Sequence, residues 1–229
     1  MLRIMSPARN LFSARLALGA CLLFGSGITM AIEEPAFTLV DKADNIEVRQ
    51  YQAVIVAETI VEGDLSTASN EGFRRIADFI FGNNRAAGGA ASQKIAMTSP
   101  VVAEPVAASA KIAMTAPVGA EPLGGAGTML AKSWRIQFTM PSNYTMSTLP
   151  QPNNAAVKIR EIPGKRVAAL VFSGFAGEEK SQEKTAELLA WLKAKGIVTL
   201  SSPQLARYNP PWTLPFFRRN EILVDIAGP

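Results

Sequence analysis

The stretch IEVRQYQAVIVAETIVEGDLSTASNEGFRRIADFIFGNN, residues 46–84, carries the plan of the fold. Ile46–Tyr51 reads as a short strand and Val54–Val61 as a longer, β-branched one. After Gly63-Asp64 the spacing changes. Phe73, Ile76, Ala77 and Ile80 fall at i, i+3, i+4 and i+7, an apolar stripe along one side of a helix. Ser66 or Thr67 is expected to cap this helix, and Gly82-Asn83-Asn84 to stop it. Upstream, Phe37–Lys42 reads as one more strand.

The second half repeats this plan without repeating its letters. Val157–Ile162 and Arg166–Ser173 read as strands around a Pro163-Gly164 turn, followed by a helix over about Glu179–Lys195 that ends before Gly196. Thr185, Leu188, Leu189 and Leu192 form its stripe, and Trp134–Met140, Gln204–Tyr208 and Glu221–Ile226 supply further strands. Strand, strand, helix, strand, twice over, predicts an α+β domain in which two helices cover a mixed or antiparallel sheet or open barrel.

Between the halves an octapeptide is duplicated: Lys94-Ile-Ala-Met-Thr-Ser-Pro-Val101 returns as Lys111-Ile-Ala-Met-Thr-Ala-Pro-Val118, and Ala-Glu-Pro follows both copies. Two copies are too few for a solenoid. Ile95 and Met97, like Ile112 and Met114, alternate with other residues at the period of a half-buried strand, so both copies are expected to be extended and adjacent. Pro100 and Pro117 belong at a strand end, a bulge or a sheet edge. The Gly-, Ala-, Pro- and Asn-rich stretches 83–92, 103–110 and 119–127 are predicted to be mobile, exposed loops within one domain of residues 32–229.

Residues 1–31 carry Arg3, Arg9 and Arg15, an apolar run from Leu16 to Phe24, then small residues. That order predicts a secretory signal peptide cleaved near Ala31, with an apolar part too short to span a membrane. Leu18-Gly19-Ala20-Cys21 resembles a lipoprotein processing site, but the sequence stays apolar through Ile32, so a periplasmic or secreted protein without a lipid anchor is the expectation. Without these residues the formal charge falls from +4 to 20 bases against 19 acids. No clustered basic face remains to recommend nucleic acid as a partner.

The chain has no histidine, and its single cysteine, Cys21, lies in the signal-like segment. Zinc sites of the usual N/S type, Cys–His nucleophiles and Ser-His-Asp triads are therefore excluded from residues 32–229. Glu33-Glu34 and Glu178-Glu179 read as solvated acids rather than a catalytic pair, and Gly88-Gly89 and Gly124-Gly125 lack the surroundings of a phosphate loop. The composition points away from an enzyme. What stands out instead is the connection YNPPWTLPFFRRNE, residues 208–221, which joins stiffening prolines, large aromatics and an arginine pair. It suits either a flat, apolar, anionic ligand or a rigid lid whose Arg218 or Arg219 is salt-bridged internally.

Together the octapeptide, the Trp134–Pro141 strand WRIQFTMP and the Tyr208–Ile222 segment resemble the SOUL haem-binding family over about Phe37–Ile226. The resemblance implies a distorted antiparallel barrel of two pseudo-symmetric halves, each flanked by one helix. It also implies non-enzymatic binding of haem or a related tetrapyrrole, as carrier or scavenger, in a cleft between the first helix and the Pro-rich connection. Carried onto this chain, the cleft would be lined by Phe73, Ile76, Ala77, Ile80, Trp212 and Phe216, with Arg75 or Arg218, and also Arg74 or Arg219, meeting propionates. Two departures stand out. Histidine ligation of the iron, proposed for some members, is closed to this chain, and Thr213 stands where relatives tend to carry lysine. Any haem would be held chiefly by apolar contact, with its iron ligated by Tyr51, Tyr144, Tyr208, a methionine or nothing. A binding module for another small apolar ligand, or for an envelope protein partner, is the alternative that these departures favour.

Overall fold

In the computed structural model, which describes residues 32–89, 91–106 and 131–228, the strand-strand-helix plan is present twice. In chain order the elements are β1 (Phe37–Ala43), β2 (Ile46–Tyr51), β3 (Val54–Glu62), α1 (Leu65–Ile80), β4 (Asn84–Arg85), β5 (Val101–Pro105), β6 (Ser133–Thr139), β7 (Gln151–Pro152), β8 (Lys158–Ile162), β9 (Lys165–Phe172), α2 (Glu178–Ala194), β10 (Gln204–Arg207) and β11 (Asn220–Asp225), with a 3-10 turn at Pro215–Phe217. Nine strands form one antiparallel sheet in the order β1-β2-β9-β11-β10-β5-β6-β3-β8, and β4 pairs separately with β7. The chain from Ile32 onward is one compact unit.

The order reveals the two halves. Exchanging β2 with β8, β3 with β9, β5 with β10 and β6 with β11 turns each pairing among these eight strands into another that exists: β3–β6 into β9–β11, β5–β6 into β10–β11, and β3–β8 into β9–β2, with β1 added at one edge. The β5–β10 pair maps onto itself and marks the centre. Helix α1 packs on β3 and β6 and α2 on β9 and β11, so the helices obey the same exchange. The result is a curled sheet with both helices on one face, an α+β distorted barrel.

Period-2 alternation assigns the two faces. Ala57 and Val61, Trp134, Ile136 and Phe138, Leu170, Leu205, Ile222 and Val224 face the helices and join Ile76, Phe79, Ile80, Leu188 and Leu192 in the main core. The opposite face holds a smaller apolar cluster of Val167, Ala169, Ala206 and Leu223. Close contact of α1 with β6 depends on Gly72, where a Cβ would lie 2.4 Å from Ile136 Cγ1.

Several sequence expectations are corrected. The cap of α1 is Asp64, whose carboxylate accepts from the Thr67 backbone N–H at 2.7 Å, rather than Ser66 or Thr67; an aspartate two residues earlier caps as well as serine does. The first octapeptide copy is not a half-buried strand. Residues 94–97 are irregular, with Ile95 in the core and Met97 exposed, and the ladder begins only at Val101, directly after Pro100. Ile95 is placed by its own N–H, which donates to Ile80 O at 2.8 Å. The second copy, Lys111–Val118, lies outside the described residues, as do the signal-like segment, Cys21 and stretch 119–127. Two stretches expected as loose loops are tied down: Ala103–Pro105 is part of β5, and Asn84 is buried, donating to Phe79 O and Gln93 O at 2.7 Å each.

Candidate ligand-binding surface

Across the centre of the sheet, Phe138 pairs with Val101, Val101 with Arg207 and Arg207 with Asn220. Partners in register project from the same face, so these four side chains form a row beneath the helices. Helix α1 covers one end of it, with the Phe73 ring centred 5.6 Å from that of Phe138. The segment leading into α2 covers the other end, where Asn220 Nδ2 donates to Gly174 O at 3.0 Å. Arg207 joins the two: Nη1 donates to Ser69 Oγ of α1 at 2.9 Å and Nη2 to Ala176 O at 2.8 Å. Burial, and after it the positive charge of Arg218, push the Arg207 pKa below the ordinary arginine value.

The helix stripe divides according to where the protein needs it. Ile76, Ala77 and Ile80 are buried against the sheet and present no surface to a ligand, whereas Phe73 is 39 % exposed. Ser69 and Phe73 lie about 40° apart around the helix axis, and Ser69 and Arg75 about 120° apart. Phe73 thus shares the Arg207 flank, while Arg75 turns to β3, bonding Glu71 and Ile60 O.

Next to Arg207 stands an apolar shelf. Trp212, Leu214, Phe216 and Phe217 of the connection, with Phe175 of the loop before α2, are each between 56 % and 83 % exposed. Gly174 N–H donates to Pro215 O at 3.0 Å, which joins the two loops into one surface. The Arg218 guanidinium lies 4.9 Å over the Phe175 ring and donates through Nε to Thr213 O at 2.7 Å and through Nη2 to Pro211 O. Arg218 therefore braces the connection while leaving its charge on the aromatic shelf. Among the described residues neither Arg207 nor Arg218 is ion-paired to a carboxylate.

The base of the connection is held from the opposite face of the sheet. Glu221, fully buried, accepts both Nη atoms of Arg49 at 2.7 and 3.0 Å, the Tyr208 hydroxyl at 2.7 Å and Arg219 Nε at 3.0 Å. Arg49 also binds Glu47, and Arg219 binds Glu34 at 2.9 Å. Glu33 Oε1 accepts from Ser142 N–H at 2.8 Å, so neither acid of the Glu33-Glu34 pair is merely solvated. Burial works against the charge on Glu221, but Arg49, Tyr208 and Arg219 outweigh it and hold its pKa below the ordinary carboxylate value. Arg219 is thus the internally salt-bridged member of the arginine pair, and Arg218 is the one left over.

Two hollows lie elsewhere. One, on the opposite face near Tyr51, Val102 and Leu223, measures about 80 Å³, small beside the roughly 300–1,000 Å³ of ordinary ligand pockets. The other, about 670 Å³, is wide enough, yet Glu33 and Glu161 stand in its wall and would repel an anionic ligand.

Residues 32–225 match the family described as SOUL heme-binding protein. The chain belongs to the SOUL family. Its fold is also that of the EcmrR C-terminal domain, a solved structure similar over 80 % of this chain and 98 % of that one, at 10 % identity and a TM-score of 0.55. A hydrolase from Listeria innocua is similar over 82 % of this chain and 94 % of that one, at 10 % identity and a TM-score of 0.49. No curated protein matches the chain. Within this SOUL chain the shelf combines exposed aromatic rings with two arginines that have no carboxylate partner among the described residues, and the tyrosines are occupied elsewhere. The Tyr51 and Tyr208 hydroxyls serve the Arg49–Glu221 network, and Tyr144 Oη accepts from Gln93. Among the described residues no group of three His, Cys, Asp or Glu side chains is placed to hold a metal.

The sequence reading missed Arg207, Phe175 and the Arg49–Glu221 network. A signal existed for Arg207: it follows Leu205 at strand period, which puts a charge on the face that Leu205 marks as core.

Proposed function

We propose that this protein binds haem or a related tetrapyrrole, without chemical conversion, on the surface between α1 and the 208–219 connection, as a carrier or scavenger. The shelf of Phe175, Trp212, Leu214, Phe216 and Phe217 carries this reading. Single exposed apolar side chains need no explanation, but five large ones on two joined loops mark a surface that is covered in use. Phe73 extends it along α1, and Arg207 and Arg218 supply positive charge for propionates. Iron, when present, would ride as cargo, since the shelf offers ring contact rather than an imidazole or thiolate ligand. Family membership supports tetrapyrrole binding in general, and the uncompensated arginines beside the aromatics favour this location over the acidic hollow.

Amide chemical shifts recorded during titration with metal-free protoporphyrin test the location. Changes are expected at residues 173–177, 208–219 and around Phe73. Changes centred on Glu33–Ala36 and Pro141–Ser147 would place the ligand in the acidic hollow and refute the proposal.

The basic, apolar and small-residue order of residues 1–31 supports export as part of the same reading. The mature protein recovered from its host is expected to begin at Ile32 by mass spectrometry. A mass that retains these residues, or that carries acyl chains on Cys21, would contradict export by simple cleavage.

A further inference from the structure

We infer that Arg207 is the residue that selects a free carboxylate on the ligand, making the site specific for acidic tetrapyrroles over their neutral esters. The inference rests on the tetrapyrrole reading above and adds the group that discriminates among ligands. Arg207 sits on the helix-covered face of β10, at the central β5–β10 pair where the two halves meet. A guanidinium there is withdrawn from water, a cost ordinarily offset by an acid. This one has only neutral partners, Ser69 Oγ and Ala176 O, and these take two of its five N–H donors.

The charge that acts on it is repulsive, the guanidinium of Arg218. Two cations that oppose each other, with no carboxylate from the described residues between them, form a place where an arriving anion relieves both. The remaining N–H groups of Arg207 have the planar fork that matches a carboxylate. Phe73, one helical turn beyond the Ser69 that Arg207 bonds, and Phe175, next to the Ala176 that it bonds, offer aromatic surface for the ring that bears it. The opposite face shows the contrast: there Arg49, buried deeper still, is matched by Glu221 through two hydrogen bonds. Arg219, flanking the same connection, is likewise paired, to Glu34 and Glu221. Arg218 shares partial burial and purely neutral hydrogen-bond partners, but among the described residues Arg207 is the one of the two that stands on the sheet, at the pairing where the halves meet.

The test is equilibrium titration of the purified protein with metal-free protoporphyrin and, separately, with its dimethyl ester, for wild type, Arg207→Gln and Arg207→Lys. Wild type should favour the diacid by about tenfold to a hundredfold, the range of a charge-assisted hydrogen bond. Arg207→Gln should abolish that preference while binding the ester as wild type does, and Arg207→Lys should retain part of it. Unchanged ester affinity also certifies that the variant surface is intact. Equal loss of diacid and ester binding in Arg207→Gln would overturn the inference, because it would mean that Arg207 only supports α1. A wild type that binds diacid and ester equally would overturn it while leaving the tetrapyrrole reading intact. A wild type that binds neither would overturn both.

Discussion

Replacing Glu221 with alanine is expected to lower the free energy of unfolding by about 3–5 kcal/mol, the cost of leaving a buried charge without its partner. Glu221 is fully buried and Arg49 is 2 % exposed. Without the carboxylate, Arg49 loses two hydrogen bonds, and Tyr208 and Arg219 lose one each, at the base of the connection. Such a loss is a large fraction of the roughly 5–15 kcal/mol that holds an ordinary domain together. The double variant Arg49→Met with Glu221→Leu is expected to recover much of it, since replacing both partners strands no charge.

The same group gives an acid signature. Its folded pKa lies below the ordinary value of 4.5, as does that of Glu47, whose burial is outweighed by Lys42 and Arg49. The unfolded chain therefore takes up protons first as the pH falls. The stabilisation is complete above about pH 4.5 and disappears as the pH drops through the lower folded values. Urea unfolding at pH 7 and at a series of acid pH values should show this loss in the wild type and a smaller one in Glu221→Ala. A cost under about 1 kcal/mol at pH 7 would mean that the network does not carry the weight assigned to it.

Element type and order were legible because both rest on periodicity, which burial on one face imposes directly on the sequence. The helix over residues 65–80 and the pairs of strands around it follow from that alone. Pairing was not legible. Arg49 and Glu221 meet across 172 positions of sequence, and nothing local to either residue names the other. The candidate site was legible in part, for an identifiable reason. An apolar stripe on a helix reports burial without saying whether protein or ligand does the burying. In α1 the sheet claims Ile76, Ala77 and Ile80, and only Phe73 remains for a ligand. In the connection Trp212 and Phe216 stand exposed, so no protein surface claims them as the sheet claims Ile76 and Ile80. The octapeptide misled because Ile95 and Met97 stand two apart, as in a strand. The backbone turns between them, sending Ile95 to the core beneath α1 and Met97 to the surface.

Substituting serine for Trp212 and Phe216 together is expected to weaken tetrapyrrole binding about thirtyfold or more, the effect of removing central aromatic anchors from a contact surface. Trp212 is 83 % exposed and Phe216 65 %, so neither contributes much to the core. Folding stability should change by no more than about 0.5 kcal/mol, as for other surface substitutions. This separates the variant from Glu221→Ala, which lowers stability at a distance from the ligand. It also separates it from Arg207→Gln, which weakens binding of the diacid and leaves that of the ester, whereas the serine variant weakens both. A residue that served only to close the barrel would show the opposite pattern, with stability lost and binding following it down.

The central claim is that the shelf holds a tetrapyrrole, and one titration tests it most directly. Protoporphyrin is added to the wild type and to the Trp212→Ser, Phe216→Ser variant, with absorbance near the Soret band as the signal and urea unfolding as the control. The predicted result is a saturable transition at one equivalent in the wild type, displaced about thirtyfold or more in an equally stable variant. A featureless, non-saturating response in the wild type, or the same affinity in both proteins, would contradict the claim.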